Sequence, residues 1–174
     1  MKKDLRFICY TYMREKSVKV DYEVLSDALT VSIGMVLPYL TRDDEQIVKN
    51  DLRHLQELAY HANGSVRGML AISDDDVAWL SERYDYYAEA VGDRAKHFVV
   101  PQGCIAAMHL HTVRNDAKLV YRALHHANNE APVPKVLFEF TGLLSNIASL
   151  MALHVNALNG IDEILFHTKS YVLK

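Results

Sequence analysis

Apolar residues recur along this chain at three- and four-residue steps, and five long stretches carry that helical period. The first runs from Val20 through Val24, Ala28, Val31, Met35 and Leu37, until Pro38 disturbs its last turn. The second opens on Thr41-Arg-Asp-Asp-Glu, an N-cap with acids in the first turn. Its face of Ile47, Leu52, Leu55, Leu58 and Ala62 predicts a stop at Asn63-Gly64. Ser73 and the aspartates at 74–76 open a third, which passes Val77, Leu80, Tyr84, Tyr87 and Val91 and ends at Gly92. The fourth fills 106–129. After Pro132 and Pro134 the fifth carries Val136, Leu137, Phe140, Leu144, Ile147, Met151 and Leu153 to Asn159-Gly160.

This pattern predicts an all-α protein, a five-helix bundle over residues 20–160. Residues 1–19 form an N-terminal arm with a β-capable piece from Phe7 to Tyr12. Residues 161–174 form a C-terminal tail that reads equally as a short helix or a strand.

Length and composition narrow the function. A chain of 174 residues, half of them apolar, builds one sizeable core without disulfides or a structural metal. The net charge of −3 gives no global case for nucleic acid or an anionic membrane, so an anion site has to be local. Cys9 and Cys104 stand far apart without a C-x-x-C pattern, which points to a reducing, cytoplasmic compartment. No window reaches about 18 uninterrupted apolar residues, and the N-terminus is too polar for a signal peptide.

The histidines predict no metal site. His109 and His111 point to different helix faces, His125 and His126 are adjacent, and His54 and His61 are too far apart along a helix axis to chelate one ion. The aspartates at 74–76 lack the spacing of an EF-hand and read as a helix N-terminus. Tyr84, Tyr86 and Tyr87 read as core packing with wetted hydroxyls.

One stretch, FVVPQGCIAAMHLHTVRNDAKLVYR over 98–122, stands apart. Arg114, Lys118 and Arg122 are successive i, i+4 neighbours, a cationic stripe able to cradle a polyanion. The other faces of this helix hold Ala107, Leu110, Val113, Ala117, Val120 and Leu124. The helix is therefore expected to be largely buried, and its cations to need partners.

That stretch resembles the ATP:cob(I)alamin adenosyltransferases of the propanediol-utilisation type, which carry F-[IV]-L-P-x-G, H-x-x-R and R-R-x-E-R in the same order. Upstream, DALTVSIG over 27–34 is similar to the family's D-E-L-N-S-x-[IL]-G, and Asp21 lies where the family has a Glu. Downstream, FTGLLSN over 140–146 is similar to F-L-N-R-L-S-D. The resemblance spans about residues 19–160.

The resemblance implies a homotrimer of five-helix bundles with active sites between subunits. It also implies transfer of the 5′-deoxyadenosyl group from ATP, brought with Mg2+, to cob(I)alamin, with release of triphosphate. Phe98 takes the place of the apolar residue that keeps a lower axial ligand off the cobalt. Asp27 and Arg114 take the places of a salt bridge that shapes the site. Lys118 and Arg122 remain of the phosphate-binding cations.

The chain departs from this pattern at several positions. The family's glycine-rich phosphate loop has no counterpart, since residues 8–20 hold no glycine. The lysine after that loop aligns with Glu15, leaving Arg14, Lys16 and Lys19 as stand-ins. R-R-x-E-R has become Lys118-Leu-Val-Tyr-Arg122, the Glu of D-E-L-N is Ala28, and the Asn of F-L-N-R-L-S-D is Gly142. A lysine keeps the charge of an arginine but not its two-pronged grip on phosphate. The expectation is an adenosyltransferase. Its alternatives are a non-catalytic corrinoid-binding relative, serving as carrier, sensor or partner subunit, and a helical interaction module with no small-molecule site.

Overall fold

The computed structural model describes residues 4–170; residues 1–3 of the arm and 171–174 of the tail lie outside the described residues. Five α-helices make the body: α1 (Lys19–Val36), α2 (Gln46–Ser65), α3 (Asp74–Val91), α4 (Ile105–Glu130) and α5 (Lys135–Leu158). A two-stranded antiparallel ribbon joins β1 (Val99–Val100) to β2 (Ile164–Leu165), pairing Val99 with Leu165 and Val100 with Ile164.

Helix α5 is the centre. Leu137, Phe140, Leu144, Ile147, Met151 and Val155 are all buried, and α4 and α3 pack on it while α1 packs on α4. By length and composition α5 could cross a membrane, but 67% of its apolar window is buried inside the bundle. Alanines 106, 107, 117, 123 and 127 of α4 are buried, and these small side chains let its neighbours approach closely.

The caps follow their local chemistry. Ser73 Oγ accepts from the Asp76 amide at 3.2 Å while Asp76 accepts from the Ser73 amide at 2.8 Å, so the acidic run at 74–76 is a capping box. Glu45, buried, accepts the Thr41 and Arg42 amides at 3.0 Å each before α2 begins. Asn63-Gly64 does not end α2, which continues to Ser65. Asn63 is instead held inside the last turn, donating to the Glu23 carbonyl at 2.6 Å and to Ser26 Oγ at 2.8 Å.

Two expectations are corrected. The stripe Val24, Val31, Met35 of α1 faces outward, 46%, 57% and 49% exposed, and the helix packs through Tyr22, Leu29, Ile33 and Val36 instead. Helix α1 is apolar on two faces, and periodicity alone does not say which one turns inward. The arm residues from Phe7 to Tyr12 form turns rather than a strand, with the Met13 amide bonded to the Tyr10 carbonyl and the Glu15 amide to the Tyr12 carbonyl. A strand needs an edge to pair with, and the neighbouring helices offer none. Among the described tail residues Ile164–Leu165 form a strand, because β1 gives them such an edge.

Candidate functional site

The cationic stripe of α4 divides between two faces. Each i, i+4 step turns about 40° around a helix, so Arg122 lies about 80° from Arg114. Arg114 and Lys118 line a cleft of about 300 Å³ between α4 and α5, whose wall also carries Phe98, Ser145, Asn146 and Ser149. It continues through Lys118, Ser145 and Asn146 into a hollow of about 350 Å³ beside Tyr121 and Gly142. Arg122 lies on the other side, in a groove of about 480 Å³ between α1 and α4 lined by Met13, Val18, Val24, Leu25 and Leu119.

Phe98 is 64% exposed at the mouth of its cleft, immediately before β1. Arg114 is half-buried; burial lowers its pKa, and its Nε has no hydrogen-bond partner among the described residues. One turn earlier, His111 is 4% exposed, and burial together with the neighbouring Arg114 charge pushes it down to about 4.

Asp27 is exposed on α1 and lines a different hollow, of about 360 Å³, with Cys9, Tyr10, Glu23, Tyr60 and Asn63. No ion pair joins it to Arg114 among the described residues of the protomer. Asp27 and Arg114 do not meet within one protomer, because the outward face of α1 carries Asp27 away from the α4–α5 cleft.

Lys16 is exposed and Lys19 half-buried at the N-terminus of α1, and neither lines the clefts above. That terminus is already occupied by the chain's own carboxylate. Glu130, the last residue of α4, accepts from Ser17 Oγ at 2.6 Å and from the Val18 amide at 3.1 Å. Glu15 meets Arg67 at 2.8 Å, and Arg67 reaches on to Glu23 and stacks over the Tyr12 ring. Sequence spacing gave no sign of these contacts, since Arg67 lies in a connector 52 residues from Glu15.

Two departures from the motif pattern lie side by side. Tyr121 packs edge-on to His125 and Phe138, and a Cβ on Gly142 would already touch its ring at 3.5 Å.

The chain shares its fold with solved structures of a PduO-type ATP:corrinoid adenosyltransferase from Lactobacillus reuteri. A phenylalanine-to-alanine variant of that protein, complexed with cobalamin and ATP, matches with a TM-score of 0.78 at 20% identity, covering 88% of each chain. An arginine-to-lysine variant complexed with ATP matches with a TM-score of 0.78 at 21% identity, over 87% of this chain and 88% of that one. No curated protein sequence matches the chain. Residues 12–155 match the sequence profile described as Cobalamin adenosyltransferase, and with most of its length in that match this chain belongs to the cobalamin adenosyltransferase family.

Proposed function

We propose that this protein transfers the 5′-deoxyadenosyl group of ATP to cob(I)alamin, at sites completed between copies of the chain in a homotrimer. The observation that carries the reading is the exposed Phe98 ring at the mouth of a cleft walled by Arg114 and Lys118, in a member of this family. An apolar ring below a corrin excludes water and the lower axial ligand, and a four-coordinate cobalt is easier to reduce to the Co(I) nucleophile. In the transfer the cobalt electron pair forms a bond to C5′ as the C5′–O bond breaks, and triphosphate leaves with that bond's electrons. Lys118 and Arg122 offer charge to the triphosphate, with Mg2+ arriving on ATP. Lys16, Lys19 and Arg14 of the arm add to it in this reading.

The L. reuteri variants support the role of Lys118. The phenylalanine and arginine replaced in them are separated by as many residues as Phe98 and Lys118, and the lysine variant was obtained complexed with ATP. The outward stripe of Val24, Val31 and Met35 on α1, with Met108 and Leu119 on α4, supports assembly. In the trimer Asp27 of one copy pairs with Arg114 of the next. The free Cys9 and Cys104 fit a reducing, cytoplasmic compartment.

A second reading, a corrinoid-binding relative without ATP turnover, is favoured by one observation. Two of the arm's hydrogen-bonding groups, the Ser17 hydroxyl and the Val18 amide, are engaged by Glu130, and Glu15 sits where the resemblance places the lysine that follows the phosphate loop. Calorimetric titration with Mg-ATP, with and without reduced cobalamin, followed by assay of the cobalt–carbon product, separates the two. Product formation supports the transferase. Corrinoid binding without ATP binding supports the carrier or sensor.

A further inference from the structure

The Phe98 ring is too exposed for its own packing to aim it, so its direction is set by its backbone. That backbone is gripped on both sides. Downstream, Asn156, fully buried on α5, accepts from the Cys104 amide at 3.1 Å and donates to the Gln102 carbonyl at 2.9 Å. Between them Gly103 adopts a φ of 142°, and a Cβ there would come within 1.9 Å of Asn156 Oδ1.

Upstream, Arg94 lies in the turn that follows α3. Its Nη1 donates to the Ile161 carbonyl at 3.0 Å and to Glu163 Oε2 at 2.7 Å, and its Nη2 donates to Asp162 Oδ1 at 2.9 Å. These acceptors belong to three consecutive tail residues immediately before β2. The tail then pairs with β1, and the Phe166 amide donates to the Phe98 carbonyl at 2.8 Å.

We propose that Arg94, acting through Ile161–Glu163, is a positioning residue for Phe98, and that the tail strand is what aims the ring over its cleft. The inference rests on the reading of Phe98 as the floor beneath a corrinoid. A guanidinium is planar and presents its donors in a fixed fork, so three acceptors on consecutive residues fix the direction of the tail as well as its distance. The Glu163 side chain is 7% exposed, so that branch of the fork is made largely out of water, whereas the Asp162 contact stands in solvent. The five helices do not depend on it, because their core residues all lie outside the turn and the tail.

The test uses the full-length chain with Arg94→Met and, as the conservative variant, Arg94→Lys. Amide exchange reads the grip without any ligand. The Phe166 amide is expected to exchange at least tenfold faster in R94M while amides of α4 and α5 keep their rates, and an unchanged Phe166 rate overturns the proposal. Paramagnetic resonance of bound cob(II)alamin in the presence of Mg-ATP reads the function, as the fraction without a lower axial ligand. That fraction is expected to fall at least threefold in R94M and to recover by half or more in R94K, with the KM for ATP within twofold of the parent. A fraction unchanged in R94M overturns the positioning role. Should the unsubstituted protein bind no corrinoid, the functional reading fails, and the positioning role falls with it even where Phe166 exchange responds.

Discussion

Arg67, just beyond α2, holds the carboxylate of Glu23 on α1 at 2.8 Å, and through the same guanidinium it ties down the N-terminal arm. Glu23 is 5% exposed and Arg67 stacks over the Tyr12 ring at 4.2 Å, so this is the anchor that decides where the arm lies. Replacing Arg67 by Ala strands a buried carboxylate. A loss of about 2 to 3 kcal/mol in urea unfolding is expected, with faster tryptic cleavage after Arg14 and Lys16. A loss below about 0.5 kcal/mol would show that the pair contributes no more than an ordinary surface contact.

Glu15 shares Arg67 and occupies the place where the resemblance puts a lysine. Glu15→Lys removes an acid, adds a cation and frees one side of Arg67. Affinity for Mg-ATP is expected to rise about tenfold, equivalent to about 1.4 kcal/mol, by calorimetry. No change would place the triphosphate away from the arm.

His111 sets a pH dependence. Its folded pKa of about 4 lies below the ordinary histidine value, chiefly through burial and secondarily through the charge of Arg114. Between about pH 6.5 and 4 the unfolded chain therefore binds a proton that the native chain does not. Stability is complete above that window and falls through it as the pH drops, by up to about 3 kcal/mol. Unfolding free energies from pH 7 to 4 should show this slope, and His111→Leu should flatten it.

Asp27 and Arg114 do not meet within the protomer, so their substitution tests assembly. Asp27→Asn and Arg114→Ala should each leave the unfolding free energy of the dissociated protomer within about 1 kcal/mol. Each should shift sedimentation toward smaller species, and the double variant should dissociate no further than the single ones. Additive effects would mean that the two residues belong to separate contacts.

Phe98→Ala removes a ring that packs against little in the protomer. Stability is expected to change by less than about 0.5 kcal/mol. The adenosylation rate with cobalamin should fall more than tenfold, and less with a corrinoid that carries no lower ligand. An equal loss with both corrinoids would assign Phe98 to general binding.

Local rules made much of this legible in the sequence. The 3.6-residue period and the signals at Ser73, Gly92, Pro134 and Asn159 mark the helices, because helix hydrogen bonds and caps are made between residues a few positions apart. The apolar residues on the other faces of α4 marked it as largely buried, and the motifs around Phe98 and Arg114 marked the family.

Other features depend on residues that meet only when the helices pack. The inner face of α1 is that of Tyr22, Leu29, Ile33 and Val36, because Tyr22 is buried with its hydroxyl on the Ala62 carbonyl of α2 at 2.7 Å. The arm's lack of a strand, the capture of Ser17 by Glu130 and the hold of Arg94 on the tail join residues distant in the chain. Periodicity reports which side chains share a face, whereas which face turns inward, and which distant charge meets which, is decided by packing the whole chain at once.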